Sequence, residues 1–157
     1  MEKSKKNLIV NIVLLVVLLI LIVVLLLGKY VVSPMRISGT SMMPTLADGQ
    51  MVLMRHTRDV KKGDIVIYRH DDKLVIKRLI ATAGDRVRID REGYVYVNDE
   101  RLVEDYILDG ATIANPNTMD IVVGDGMYFF LGDNRNNSRD SEDYGTVSGD
   151  AILGKKI

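Results

Sequence analysis

The sequence predicts a mainly β protein: a compact antiparallel β domain over residues 29–157, set behind one N-terminal transmembrane helix over residues 8–28. Three observations carry this. Residues 8–27 are Leu, Ile and Val throughout, interrupted once by Asn11. No amphipathic helical repeat of useful length follows residue 30. Short β-branched or aromatic runs alternate instead with Gly-Asp pairs at 63–64, 84–85, 124–125, 132–133 and 149–150, and such pairs mark turns.

Twenty residues at a rise of 1.5 Å span roughly 30 Å, the thickness of a bilayer's hydrocarbon core. The run is apolar all round, so it lacks the polar face of a surface helix. It is too long for a cleaved leader, and Gly28-Lys29-Tyr30-Val31-Val32 offers no small-x-small cleavage site. Lys3, Lys5 and Lys6 stand against Glu2 before the run, which puts residues 1–7 in the cytoplasm and the β domain outside. Lys29 and Arg36 weaken that asymmetry, and Tyr30 sits where an interfacial aromatic would anchor the exit.

Strand-like runs fall at 51–54, 65–68, 74–82, 87–89, 94–97, 121–123 and 127–131. Asp71-Asp72, Glu92-Gly93 and Asn98-Asp99 are the turns between neighbours, and residues 111–119 read as an exposed loop. Without the apolar run about 130 residues remain, enough for one modest core. The 157 residues include 21 basic and 21 acidic ones with no cationic stripe, which gives no footing for a nucleic-acid partner. Cysteine is absent, which excludes disulfides, thiolate metal sites and a Cys nucleophile. The Asp, Asn and Ser alternation at 133–143 invites a calcium reading, but EF-hand spacing is missing, so neither metal nor cofactor is expected.

Residues 38–46 read S-G-T-S-M-M-P-T-L. Gly39 permits a tight path, Pro44 fixes φ, and Ser41 lies between them beside two thioethers. Taken alone, the stretch reads first as an ordinary polar turn, with a nucleophile loop as the alternative. His56 and His70 sit in polar, turn-like surroundings. Lys77 lies in a strand-like run where alternation places Val75, Lys77 and Leu79 on one face and Ile76, Arg78 and Ile80 on the other. A lysine on an apolar face loses hydration when charged, and the neutral amine can serve a hydroxyl as general base. The alternative is a lysine snorkelling from an edge strand.

S-G-T-S-M-M-P-T-L, then K-R-L-I-A-T-A-G-D from Lys77, then G-D-N-R-N-N-S-R-D-S from Gly132, occur in that order behind the apolar run. Together they resemble the three signature boxes of bacterial type I signal peptidases. The resemblance implies a β catalytic domain of the signal-peptidase type, a cell-membrane location with an extracytoplasmic active site, and preproteins and the lipid bilayer as partners. It implies Ser41 as nucleophile and Lys77 as general base, with the oxyanion held by the Ser41 backbone and the Gly39 loop. Some members carry a hydroxyl side chain at the Gly39 position, so here Thr40 or Ser38 would have to substitute. Ser138 matches a serine that hydrogen-bonds the lysine, and Asp133 matches an acid that pairs with Arg78. Asp140 and Arg135 belong to the same supporting network. Ile37, Met42 and Ile76 match positions lining shallow pockets that select small residues before the cut.

The sequence also departs from that pattern. Members often have Gly at Ala81, Pro at Ala83 and Arg at Glu142. Residues 86–126, where some relatives carry a large second domain, read as a short variable insertion. That suggests the compact form common in Gram-positive bacteria. Two rival readings share features: a self-cleaving repressor-type Ser-Lys protease, and a membrane-tethered β module that binds exported chains without cutting them.

Overall fold

Leu, Ile and Val without an internal proline build helix α1 (Glu2–Val31), 30 residues long. The computed structural model describes residues 2–107 and 119–157, so most of the loop expected at 111–119 lies outside the described residues, as does the Tyr30 side chain. Within α1 the stretch Lys5–Leu25 has a mean hydropathy of 3.7 and is long and apolar enough to cross a membrane. None of it is buried against the rest of the chain. Its large side chains are therefore solvated by whatever surrounds the helix, and a bilayer is the medium they suit.

After α1 the strands are β1 (Val32–Arg36), β2 (Met51–Arg55), β3 (Ile65–His70), β4 (Lys73–Thr82), β5 (Arg86–Ile89), β6 (Val95–Val97), β7 (Glu100–Arg101) and β8 (Met119–Val122). They continue with β9 (Met127–Leu131), β10 (Val147–Ser148) and β11 (Ile152–Lys156). A seven-stranded sheet runs β1-β2-β11-β3-β4-β9-β10, and a four-stranded sheet runs β7-β6-β5-β8. Every paired register is antiparallel. The β3–β4 hairpin turns at Asp71 and Asp72, with φ of 46° and 60°, the left-handed geometry that matches strand twist. The described strands within residues 86–126 form the second sheet.

Three apolar clusters hold these layers. The first joins Val87, Ile89 and Val95 of the second sheet to Ile80, Ala81, Phe129 and Leu131 of the first. The second packs Val66, Tyr68, Leu79, Phe130 and Ile152 on the opposite face. Phe129, Phe130 and Leu131 are all fully buried because β9 is covered on both faces, and each contributes about 1.5–3 kcal/mol of burial. Alternation along β4 holds for Val75, Leu79 and Ile80, and a bulge between Leu79 and Ala81 then adds Ala81 beside Ile80. The third cluster, Ile37, Met42, Leu46, Val52 and Ile65, lies beneath residues 38–46.

Candidate active site

The 38–46 loop is fixed from both ends. Ile37 N–H donates to Gln50 O at 2.8 Å, and Leu46 N–H donates to Met42 O at 2.8 Å. Gly39 takes φ of +93°, a conformation costly for any residue with a Cβ, and its N–H donates to Asp48 Oδ1 at 2.8 Å. Met42 and Leu46 insert into the third cluster and are almost fully buried. Ser41, next to Met42, is left half-buried on top of the cluster. Met42 thus supports the loop from below. It does not line the cleft as expected, since a fully buried side chain offers no surface to a ligand.

Strand β4 brings Lys77 to Ser41. The amine lies 2.6 Å from Ser41 Oγ, and Lys77 is only 4% exposed. Burial pushes its pKa below the ordinary lysine value, because the charged form loses hydration. The charges of Asp140 and Asp133 oppose that shift. A hydroxyl held against a weakly basic, buried amine is the arrangement a serine nucleophile needs.

The third box grips the loop from the other side. Strand β9 ends with Leu131 opposite Arg78, and Gly132 follows. A Cβ on Gly132 would lie 2.2 Å from Ser138 Oγ and 2.6 Å from Ser41 O, so only glycine allows this approach. Asn134 N–H donates to Ser41 O at 3.0 Å, its amide donates to Thr40 O at 3.1 Å, and Asn137 donates to Thr40 Oγ1 at 2.9 Å. Ser41 N–H takes no part in the turn's hydrogen bonds. Of the two hydroxyls considered near it, Thr40 faces Asn137 whereas Ser38 lines the cleft.

Asp133, fully buried, meets Arg78 in a two-point pair of 2.8 and 2.6 Å and also accepts from the Thr45 hydroxyl. Arg78 donates further to Gly63 O at 3.0 Å and lies over the Tyr106 ring at 3.8 Å. Arg135, also buried, donates to Gly132 O at 2.9 Å and pairs with Glu104. The Ser138 hydroxyl donates to Asp140 Oδ2 at 2.5 Å, in place of the bond to Lys77 that was expected. An ionised carboxylate is the stronger acceptor, and the Lys77 amine is engaged by Ser41. Asp140 also accepts from Gly132 N–H at 2.8 Å and caps the single turn α2 (Ser141–Tyr144).

Glu142 stands where the resemblance in the third box leads to arginine being expected, and its Oε1 is buried with no hydrogen-bond partner among the described residues. Burial, reinforced by Asp140, pushes its carboxyl up to about 7. Sequence reasoning did not find Glu104, Tyr106, Thr45, Asn134 or Asn137. The two asparagines at least lay inside the third box.

A cleft of about 360 Å³ opens beside the pair, lined by Ile37, Leu74, Ile76, Ser41, Lys77 and Arg139 among others. Two open strand edges border it. Among the described residues β9 pairs with β4 only from Arg78 onward, which leaves Lys73 to Lys77 without a strand partner on that side, and β1 pairs with β2 alone. A second cavity of about 430 Å³, near Lys62, Val97, Arg101 and Tyr106, has no paired nucleophile and base.

A β domain with an apolar anchor and a hydroxyl-amine pair beside a strand-sized cleft has the build of a membrane-anchored serine peptidase. The profile of the family described as "Signal peptidase, peptidase S26" matches residues 9–157. Signal peptidase IB of Staphylococcus aureus is 33% identical over 152 residues, covering 83% of this chain and 78% of that protein. Signal peptidase I of Bacillus licheniformis is 34% identical over 129 residues, covering 74% and 69%. The crystal structure of a signal peptidase I from Enterococcus faecalis V583 superposes with a TM-score of 0.54 at 29% identity, covering 62% of this chain and 96% of that one. The chain belongs to the signal peptidase family, peptidase S26, and is a bacterial type I signal peptidase, an enzyme that removes signal peptides.

Proposed function

We propose that this enzyme cuts exported preproteins after small-x-small sites with Ser41 as nucleophile and Lys77 as general base, outside the cytoplasmic membrane. The observation that carries the proposal is the 2.6 Å contact between the Lys77 amine and Ser41 Oγ in a largely dry setting. The neutral amine takes the hydroxyl proton as Oγ attacks the scissile carbonyl. The resulting oxyanion is held by Ser41 N–H, with the Ser38 hydroxyl in reach of the same cleft. Lys77 then returns the proton to the leaving amide nitrogen, and the mature chain departs as an amine. The remaining ester is hydrolysed by a water that Lys77 deprotonates, which frees the signal peptide's carboxylate and restores Ser41.

Substrate binding follows from the open edges of β1 and β4. An extended chain placed between them gains backbone hydrogen bonds, while its alternate side chains meet Ile37 and Ile76. Those apolar walls leave room for small residues. Lys5 and Lys6 ahead of the apolar stretch favour a cytoplasmic N-terminus and an external β domain.

The test is cleavage of a purified preprotein by the detergent-solubilised chain. Ser41→Ala and Lys77→Ala should each lower kcat by about 10³-fold or more, to near background. Retention of most activity by Lys77→Ala would show that the base lies elsewhere.

A further inference from the structure

The cleft carries a charge that the cleavage chemistry does not use. Its charged lining residues are Arg36, Lys77 and Arg139, with no carboxylate among them. In the proposed mechanism Lys77 is neutral when substrate binds, so it adds little field to recognition at that stage. Arg36 is turned toward the β1–β2 loop, where its guanidinium lies against Gly49. Arg139 is exposed, and among the described residues no hydrogen bond or ion pair engages its guanidinium.

Local geometry explains where Arg139 goes. Ser138 and Asp140 both have extended backbones, with φ and ψ of −130° and 138°, and of −154° and −153°. Their side chains bond to each other and turn inward, Asp140 being buried. Alternation then sends the intervening side chain outward, onto the cleft rim.

The fold also sets which part of a substrate passes this rim. Helix α1 leads straight into β1, which runs from Val32 toward the Ser41 loop. A signal peptide's apolar segment shares the bilayer with α1. Its last residues therefore enter the cleft from the α1 end, along β1 and the unpaired half of β4. On that path residues beyond the scissile bond would leave past the third box, whose Asn134 and Asn137 bond the Ser41 loop and whose Arg139 lines the cleft.

We propose that Arg139 is a specificity-determining residue that reads charge in the first two residues after the scissile bond, favouring Asp or Glu over Lys or Arg. The proposal rests on the Ser41–Lys77 reading of the cleft. An exposed guanidinium-carboxylate pair is worth a few-fold in rate, and repulsion of a cation acts in the same direction.

The experiment uses the full chain in detergent and peptides with one Ala-x-Ala site followed by Asp, Asn or Lys at each of those two positions. The expected kcat/KM ratio of Asp to Lys is about fivefold at one position, narrowing at about 0.5 M salt. Arg139→Gln should flatten the ratio, Arg139→Lys should keep its sign, and Arg139→Glu should invert it. An identical ratio in wild type and Arg139→Glu overturns the proposal, as does the lack of any charge preference at both positions. Ser41→Ala with the Asn peptide separates the two readings. If that variant still cuts, the dyad reading fails; if it does not and the charge series is flat, Arg139 alone is misassigned.

Discussion

Lys77 is 4% exposed, and the general-base role proposed for it requires the amine to be uncharged near neutral pH. Burial lowers its pKa, while the charges of Asp140 and Asp133 hold it up. The sign for activity follows directly. In the proposed mechanism the neutral amine is the working form, so kcat/KM should rise with pH through the folded-state pKa of Lys77. That limb lies below the ordinary lysine value of 10.5. In Asp140→Asn the lost negative charge should carry the limb to lower pH, even as cleavage slows from the damaged third box. Rate-pH profiles of the two proteins check this, and a limb that moved upward would contradict the electrostatic account. For stability the sign is fixed as well: between the folded and unfolded values the unfolded chain binds the extra proton, so the Lys77 contribution improves as pH rises there. The meeting of Ser41 and Lys77 could be expected from the sequence because each sits in a short box with its own neighbours. Their supports could not. Glu104 stands 31 positions from Arg135, and Thr45 stands 88 from Asp133, separations that no local pattern encodes. The Ser138 hydroxyl was misdirected for a related reason, since motif matching gives no acceptor strengths.

Among the elements, the third box depends on how closely it can approach the 38–46 loop. Gly132 is the point of closest approach, and a methyl there would meet Ser138 and the Ser41 carbonyl far inside contact distance. Gly132→Ala should therefore push the box away from Ser41, loosening the Asn134 N–H bond to Ser41 O. The expected cost is about 1–3 kcal/mol of stability, from overpacking, with cleavage down on the order of 10²-fold from a displacement of about 1 Å. Thermal melts and initial rates measure the two effects separately, and wild-type cleavage would mean the loop tolerates the shift. The strands with strong β-branched or aromatic runs were readable, and β9 appears with the expected bounds. β1 was not, because Pro34 interrupts it and only an edge strand tolerates that. Nor was β11, whose Gly154 weakens the pattern but lets Arg55 O come within 2.2 Å of where a Cβ would stand. The two-residue strands β7 and β10 are too short to carry any period.

At the scale of the whole molecule, the anchor and the β domain depend on each other for location more than for folding. All three apolar clusters lie within the β domain, and the membrane-spanning stretch of α1 buries nothing against it. Deleting residues 1–28 should therefore leave a folded fragment whose Tm lies within a few degrees of the full chain, since no core contact is removed. Its rate on a short soluble Ala-x-Ala peptide should stay within about threefold, because Ser41, Lys77 and the third box are all retained. Cleavage of a preprotein embedded in vesicles should fall far more, on the order of 10²-fold, because the anchor confines enzyme and substrate to one surface. Exposed Met51, Leu53 and Leu74 on the β domain would moderate that loss by partitioning into the headgroup region. The comparison of the two substrates is the informative measurement: equal losses on peptide and vesicle would mean that α1 shapes the site itself, whereas a selective loss on vesicles assigns it to delivery.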